Sequence, residues 1–448
     1  MNTLISKYNI AAPRYTSYPT VPLWEEEQWS VTGWLDTVRI AMNESSAAGL
    51  SLYIHLPYCE SLCTYCGCNT RITKNHAVER PYIEAVLKEW QMYKEVIGKA
   101  PHIREIHLGG GTPTFFSPEN LEMLMNGLLD GATLASETSF SFEGHPANTS
   151  YSHLKVLYEA GFRRISLGIQ DFDPVVQEII NRRQSYEQVK KVTDDARSLG
   201  YTSVNYDLIY GLPLQKLQSI QDTVEKVITL MPDRIAFYSY AHVPWVKPGQ
   251  RRFTEADLPQ DDEKRALYEK GREMFLNKGY YDIGMDHFSL KSDSLYKASK
   301  NHTLHRNFMG YTDQYTQLSI ALGVSSISDS WYGFAQNVKH VELYLDMVNK
   351  GSFPLLKGHI LTDQDLVFRK HILQLMCKGF TDCDWLKQEF QEVRQRLNPL
   401  EDDGLVEVEG SRVQVTETGR AFLRNVCMAF DMRLWQKKPE SQLFSKAI

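Results

Sequence analysis

From residue 51 to about 245 the chain alternates short strand-like runs with helical stretches, and that rhythm constrains the fold more than any other feature. It is the signature of a parallel α/β architecture, because parallel neighbours need a crossover, usually a helix, between them. The runs are SLYIHLP (51–57), REIHLG (104–109), SFSFEG (139–144), RRISLGIQ (163–170), TSVNYDLI (202–209) and RIAFYSYA (234–241). One connecting helix is predicted from Pro81, a good first helical position, with Ile83, Val86, Leu87 and Trp90 on one stripe. Another is predicted after Ser117-Pro118, with Leu121, Leu124, Met125 and Leu128 on its apolar face.

Alternation within the strands says what the fold encloses. Leu52, Ile54 and Leu56 share one face, and Tyr53 and His55 the other. Ile106 and Leu108 oppose Glu105, His107 and Gly109, while Phe140 and Phe142 oppose Ser139, Ser141 and Glu143. Ser166, Gly168 and Gln170 share a face, as do Asn205 and Asp207. The apolar face packs under helices; the small or polar face points inward. A closed eight-stranded barrel fills its centre with bulky branched residues, so a polar interior with six strands predicts a partial (β/α)6 TIM-like barrel, open along one side and shaped for a large polar ligand. The plainer alternative is an ordinary α/β sheet with scattered polar residues.

The chain has 448 residues, too many for one small core, and a net charge of −6 with an isoelectric point near 6.1. No global basic field recruits nucleic acid or anionic membrane. The first twenty residues, MNTLISKYNIAAPRYTSYPT, lack the features of a signal peptide, and no apolar run is long enough to span a bilayer. A cytoplasmic protein is expected.

In that compartment clustered cysteines more often bind metal or do chemistry than form bridges. Four of the seven cysteines, Cys59, Cys63, Cys66 and Cys68, lie in HLPYCESLCTYCGCNT (55–70), just beyond the first strand. Cys377, Cys383 and Cys427 lack ligand spacing and read as buried thiols. A closed zinc site commonly draws on two separated Cys pairs, and no second pair follows; the tight spacing suits the corners of an iron–sulfur cube better. If only three cysteines bind, one iron stays open for chemistry. The second strand leads into GGGTPT (109–114), which is not a P-loop because no Gly-Lys-Ser/Thr follows. Its glycines allow either a tight turn or close approach to a ligand.

Together, Cys-x3-Cys-x2-Cys after a first barrel strand, Tyr65 before the third cysteine and the glycine-rich turn resemble the radical S-adenosylmethionine superfamily. Within it the chain is most similar to the oxygen-independent coproporphyrinogen III oxidase (dehydrogenase) family. PRYTSYPT (13–20), YIHLPYC, CGCN, GGGTPT, GIQDF (168–172), DLIYGLP (207–213), GMDHF (284–288), HRNFMGYT (305–312) and NVCMAFD (425–431) carry the likeness in the expected order along nearly the whole chain.

The resemblance implies that Cys59, Cys63 and Cys66 hold a [4Fe–4S] cluster whose fourth iron chelates one S-adenosylmethionine, with Cys68 outside the ligand set. Tyr53, Gly110 and Glu143 would touch that first cofactor. Tyr65, Gly111, Thr112, Gln170, Arg182, Asp207, Ala241 and Ile327 match positions for a second S-adenosylmethionine. No side chain is expected to be the catalyst itself: a 5′-deoxyadenosyl radical would take a hydrogen from a propionate β-carbon. Loss of carbon dioxide and an electron would leave a vinyl group, twice over, giving protoporphyrinogen IX in haem synthesis. Gly144-His145-Pro146 departs from the family pattern, where a small or apolar residue and then an acid or amide precede the proline; His145 is expected to alter local polarity and pH response. Arg14, Tyr15, Arg306 and Tyr311 are candidates to meet the four carboxylates of coproporphyrinogen III, although the arm carrying the first two could equally be a structural clamp. An electron donor such as flavodoxin or ferredoxin, and a monomeric state, are further expectations.

Beyond about residue 360, helices and then GLVEVEGSRVQVTETGRAFLRNVC read as a winged-helix-like module. Glu407, Glu409 and Glu417 interrupt any basic stripe, which favours a lid or docking role over DNA binding. The expected organisation is an N-terminal arm (1–48), a partial barrel with its extension (49–350) and a mostly helical C-terminal domain (351–448). A haem-binding radical chaperone or a haem-degrading radical relative is the alternative function. The PRYTSYPT arm and the fourth cysteine argue against the chaperone; full-length resemblance and the second-cofactor positions argue against the haem-degrading relative.

Overall fold

Each of the six predicted strands forms, and each pairs in parallel with the next along the chain. They are β1 (Leu50–Leu56), β2 (His102–Gly110), β3 (Thr133–Gly144), β4 (Arg164–Gln170), β5 (Ser203–Tyr210) and β6 (Arg234–Ser239). The computed structural model describes residues 2–25, 27–45, 47–437 and 443–445. It divides into two units, one of residues 26–279 and 316–360, the other of residues 1–25, 280–315 and 361–448.

The larger unit is the partial barrel. Leu50, Leu52, Ile54, Leu56, Ile106, Leu108, Phe142, Ile165, Leu167, Val204, Tyr206, Ile235 and Phe237 are fully buried against helices. At roughly 1.5–3 kcal/mol per large side chain, this face supplies the main stabilisation of the sheet. The helix Pro118–Leu129 starts where predicted: Ser117 Oγ accepts from Asn120 N at 3.3 Å, and Leu121, Leu124, Met125 and Leu128 are buried. The helix before it runs Glu79–Ile97, two residues earlier than Pro81 suggested, and ends at Gly98 with φ 68°. It buries Ile83, Val86 and Trp90 as expected, but also Glu89, while Leu87 is only partly covered.

Three features were not foreseen. β3 starts at Thr133, six residues before the expected start at Ser139. Its leading TLASET is polar and largely exposed, so it offers no alternation to read. β4 departs from regular pairing after Gly168, and Gln170 sits at φ 66°. Last, a seventh parallel strand, β7 (Leu318–Leu322), pairs with the other edge of β1, aligning Tyr53 with Ala321. Beyond it lie antiparallel β8 (Ile327–Ser330), β9 (Gly333–Asn337) and β10 (Leu355–Ile360), so strands of this unit run 10-9-8-7-1-2-3-4-5-6.

The smaller unit gathers both chain ends around its own core. Ile5, Tyr8, Tyr15 and Tyr18 of the arm are buried with Phe368, Ile372, Leu375, Phe390, Val393, Leu397, Val413 and Phe430. Helices Asp363–Lys378 and Gln388–Asp402 precede a hairpin, Val406–Glu409 with Arg412–Val415, which Phe380–Asp382 extends to three strands. That is the winged-helix-like arrangement read from the tail.

Candidate active site

The inward face of the barrel is polar because the parallel register stacks polar residues side by side. Tyr53, His107 and Ser141 are aligned across β1–β3, and Glu143, Ser166 and Asn205 across β3–β5. Tyr53 stacks on His107 with ring centres 5.9 Å apart, and its hydroxyl lies 3.1 Å from His55 Nδ1. His107 reaches Ser141 Oγ at 2.8 Å and Glu143 Oε1 at 3.5 Å. The Glu143 side chain is 44% exposed although it sits within a strand flanked on both sides, so the interior beside it is open. Asp207 accepts from Ser166 Oγ and Asn205 Nδ2, each at 2.8 Å. Burial pushes its carboxyl up to about 6, against the pull of Ser166 and with a further push from Glu143.

The cysteine loop is seated on this face by the backbone. Gly111 N donates to Leu56 O (2.8 Å) and Thr112 N to Tyr58 O (3.1 Å), so the glycine turn after β2 grips the chain leading into Cys59. The three glycines make this approach possible. A Cβ at Gly111 would lie 2.6 Å from Pro57 O; one at Gly110, where φ is 117°, would lie 3.0 Å from the His55 ring; one at Gly109 would lie 3.1 Å from Tyr53 and Glu143. Close packing of the protein on itself therefore calls for glycine at these three positions. Glu143 Oε2 also accepts from Gly110 N at 3.4 Å.

Farther along, Thr64 N donates to Ile180 O and Thr64 Oγ1 to Ile179 O, both at 2.9 Å, while Asn181 Nδ2 donates to Leu62 O at 2.8 Å. These bonds bring the next residue, Arg182, to the loop. Its Nη1 donates to Cys63 Sγ at 3.6 Å, and Nε and Nη2 to Gly168 O at 3.2 and 2.5 Å. Gly168 leaves room for this arrangement, since a Cβ would lie 2.7 Å from both Arg182 Nη2 and Gln170 Nε2 and displace them. Thr112 Oγ1 lies 3.3 Å from Cys59 Sγ.

Sequence comparison supplies the family. The Radical SAM superfamily profile matches residues 53–227, and that of the HemN C-terminal domain matches residues 361–422. An oxygen-independent coproporphyrinogen III oxidase of Synechocystis sp. is 36% identical over 99% of this chain and 97% of its own length. The protein of the same name from Escherichia coli is also 36% identical, over 99% of this chain and 98% of its own. The chain belongs to the oxygen-independent coproporphyrinogen III oxidases. The solved structure of coproporphyrinogen III oxidase (HemN) from Escherichia coli, described as a radical SAM enzyme, superposes with a TM-score of 0.89 at 35% identity, covering 96% of this chain and 98% of that one.

In this oxidase, Cys59, Cys63, Cys66 and Cys68 are all free thiols. Among the described residues no three His, Cys, Asp or Glu side chains converge on a single ion. Three half-buried thiols on one loop, close enough that Cys63 and Cys66 both act on Cys59, are the soft sulfur donors that an iron–sulfur cluster takes. Burial raises the Cys59 thiol to about 11, whereas a hydrogen bond with Cys68 is the first cause bringing Cys66 down to about 6.

The predicted site residues lie in one unit of the oxidase, and most meet through shared partners. Gln250 Nε2 donates to both Tyr65 O (3.1 Å) and Ala241 O (3.3 Å). Tyr65 packs against the apolar cluster formed by Val176, Ile180, Leu212, Tyr240 and Phe253. Ile327 opens β8, just beyond the turn where Tyr82 OH donates to His55 O (2.8 Å) and accepts from Val324 N (2.9 Å). Sequence reading missed Gln250, Asn181 and the positioning roles of Thr64 and Tyr82, whose bonds run to distant backbone and leave no local pattern. Burial, then Arg182, lowers the His145 imidazole to about 3. In the smaller unit, Tyr15 is buried and its hydroxyl donates to Asp431 Oδ2 at 3.0 Å, as a structural clamp would. Arg14 lies 3.7 Å from Asp286, and Arg306 stands 4.6 Å over the Tyr311 ring.

Proposed function

We infer that this chain converts coproporphyrinogen III to protoporphyrinogen IX without oxygen, by oxidative decarboxylation of two propionate side chains to vinyl groups. Relatives spanning nearly the whole chain carry the oxidase name, which favours this reaction over haem delivery or haem degradation. The observation that carries the site is the seating of three free thiols at the carboxyl end of β1, beside a polar barrel interior and under a guanidinium that donates to Cys63.

Cys59, Cys63 and Cys66 hold the [4Fe–4S] cluster. Bound there, the cluster and S-adenosylmethionine supply, on receipt of one electron, a 5′-deoxyadenosyl radical able to take hydrogen from a propionate β-carbon. Tyr53, Gly110 and Glu143 position the first S-adenosylmethionine, Glu143 accepting from its amino group or ribose hydroxyls. Tyr65, Gly111, Thr112, Gln170, Arg182, Asp207, Ala241 and Ile327 surround the second. Arg182 pairs with a carboxylate there, and Asp207, already fixed by Ser166 and Asn205, accepts from hydroxyls.

Residues 49–350 thus carry the cofactors. The arm 1–48 and the module 351–448 serve the substrate; Arg14 of the arm and, outside both, Arg306 are the candidates to meet its carboxylates, whereas the Tyr311 hydroxyl is taken up by Met376 O at 2.7 Å. A low-potential carrier such as flavodoxin or ferredoxin supplies the electron to a monomeric cytoplasmic enzyme; no helix among the described residues is long and apolar enough to cross a membrane. The test is anoxic reconstitution with iron and sulfide, reduction, and addition of S-adenosylmethionine and coproporphyrinogen III. Three- and two-carboxylate porphyrins appearing in sequence support the reading; 5′-deoxyadenosine formed with all four carboxylates intact removes the substrate assignment.

A further inference from the structure

The loop after β6, residues 240–254 (YAHVPWVKPGQRRFT), leaves two large apolar side chains in solvent: Trp245 is 61% and Val246 62% exposed. Trp245 is the most exposed aromatic among the described residues. The same fifteen residues hold Lys247, Arg251 and Arg252 and no acid, in a chain whose net charge is −6. Arg251 and Arg252 are both exposed. This local sign is the reverse of the whole molecule's.

The loop is also fastened to the cysteine loop. Lys247 Nζ donates to Cys68 O at 3.1 Å and Gln250 Nε2 to Tyr65 O at 3.1 Å. Gly249 backs onto Leu62, with a Cβ position 3.3 Å from its side chain, and Leu62 is itself 41% exposed. Exposed Gly67 and Cys68 complete the edge. On this edge Glu60 is drawn to His76 Nε2, 3.6 Å away. Arg251 Nε donates to Pro244 O at 3.1 Å, beside Trp245. Although Glu255 follows the loop and acts on His242, Trp245, Val246 and Leu62 with Arg251, Arg252 and Lys247 have the composition of a protein contact, where Trp and Arg contribute disproportionately.

We propose that this patch is the docking surface for an acidic one-electron carrier protein, and that the carrier reduces the cluster from here. The inference rests on the cluster assignment to Cys59, Cys63 and Cys66. The positive rim selects a negatively charged partner and speeds its encounter, while a small apolar centre gives the brief, low-area contact typical of electron transfer. Docking sets the carrier against the backbone of the loop that holds the cluster. One electron passes: the carrier is oxidised by one, the cluster reduced by one, and no bond forms or breaks. Neither Trp245 nor Arg251 or Arg252 belongs to the cofactor set.

The experiment compares two reductants on the reconstituted full-length enzyme: Ti(III) citrate, which needs no docking, and a reduced acidic flavodoxin. Trp245→Ser and the pair Arg251→Glu with Arg252→Glu are assayed for vinyl-product formation and, by calorimetry, for binding of the flavodoxin itself, which each variant should weaken at least tenfold; parent-like binding in both would overturn the proposal. Flavodoxin-supported rates at low salt should fall at least tenfold in each variant, with Ti(III)-supported rates within twofold of the parent. The parent's flavodoxin-supported rate should also decline as salt rises, and the charge-reversed variant's should not. Equal losses with both reductants would overturn the proposal and assign the loop to substrate or cofactor binding; an undiminished flavodoxin rate would overturn it outright. A parent enzyme that makes no product even with Ti(III) would sink the functional reading itself, a result distinct from either.

Discussion

Arg182 and Cys63, separated by 119 positions, meet where the guanidinium Nη1 donates to the cysteine sulfur at 3.6 Å while Nη2 holds the carbonyl of Gly168. One half-buried cation thereby links the cluster loop to the strand that carries the polar interior. Several consequences can be measured.

Gly168→Ala tests the link without touching either residue. The new Cβ would fall 2.7 Å from Arg182 Nη2 and Gln170 Nε2, so both must swing away. Because neither is a cluster ligand, iron content and visible absorption should be unchanged. Turnover with S-adenosylmethionine should drop about tenfold or more, equivalent to about 1.4 kcal/mol of transition-state stabilisation. Unchanged turnover would mean that Arg182 is not needed where it stands.

Gly111→Ala should fail differently. Its Cβ would meet Pro57 O at 2.6 Å, and backbone cannot rotate aside as a side chain does. Relief requires moving Pro57 and Tyr58, and with them Cys59. The expectation is a stability loss of about 1–3 kcal/mol, read as a lower denaturant midpoint, together with poor cluster loading.

The ligand set itself is tested by serine replacement. Cys59→Ser, Cys63→Ser and Cys66→Ser should each lose the visible iron–sulfur chromophore after anoxic reconstitution. Cys68→Ser should retain it, since the exposed Cys68 lies outside the set.

Glu89 gives a pH prediction. Fully buried, it accepts from Gly323 N (2.8 Å), Asn337 Nδ2 (2.7 Å) and Tyr344 OH (2.6 Å), and burial outweighs these donors to push its carboxyl up to about 7. A carboxyl raised on folding binds its proton more tightly in the native state, so stability falls as pH climbs from the unfolded value near 4.5 to about 7 and is level above that. Asp171, Asp207 and Asp431, each raised to about 6, slope the same way. The melting-temperature difference between parent and Glu89→Gln isolates Glu89: it should move against the parent between pH 5 and pH 7 and then stay constant. A pH-independent difference would contradict the assignment.

His145 gives a null prediction. Held neutral at about 3 by burial and by Arg182, it should leave the pH–rate profile unmoved when replaced by Asn. A shifted profile would show that it titrates after all.

Much of this was legible in the sequence because the signal was local. Alternation fixed which face of β1–β5 is polar, and spacing placed the cysteines beyond β1. What escaped depends on contacts distant along the chain. β7 is only five residues, LSIAL, outside the βα rhythm, yet it pairs with β1 across more than 260 positions. Glu89 sits on a predicted helix face that its neighbours mark as apolar, and its three donors come from residues 323–344. The glycine turn was legible as a motif, but the contacts that demand glycine there, with Pro57, His55 and Tyr53, come from another strand and could not be read locally. Gln250 carries no motif, because its function is to bond two carbonyls.

The most direct measurement follows hydrogen. Coproporphyrinogen III deuterated at the propionate β-carbons is supplied to the reduced, reconstituted enzyme under anoxia, and 5′-deoxyadenosine is recovered for mass spectrometry. Deuterium in the recovered nucleoside, rising in step with vinyl product, is the predicted result. Vinyl product formed while the nucleoside stays unlabelled would contradict hydrogen removal by the adenosyl group and with it the account of the site.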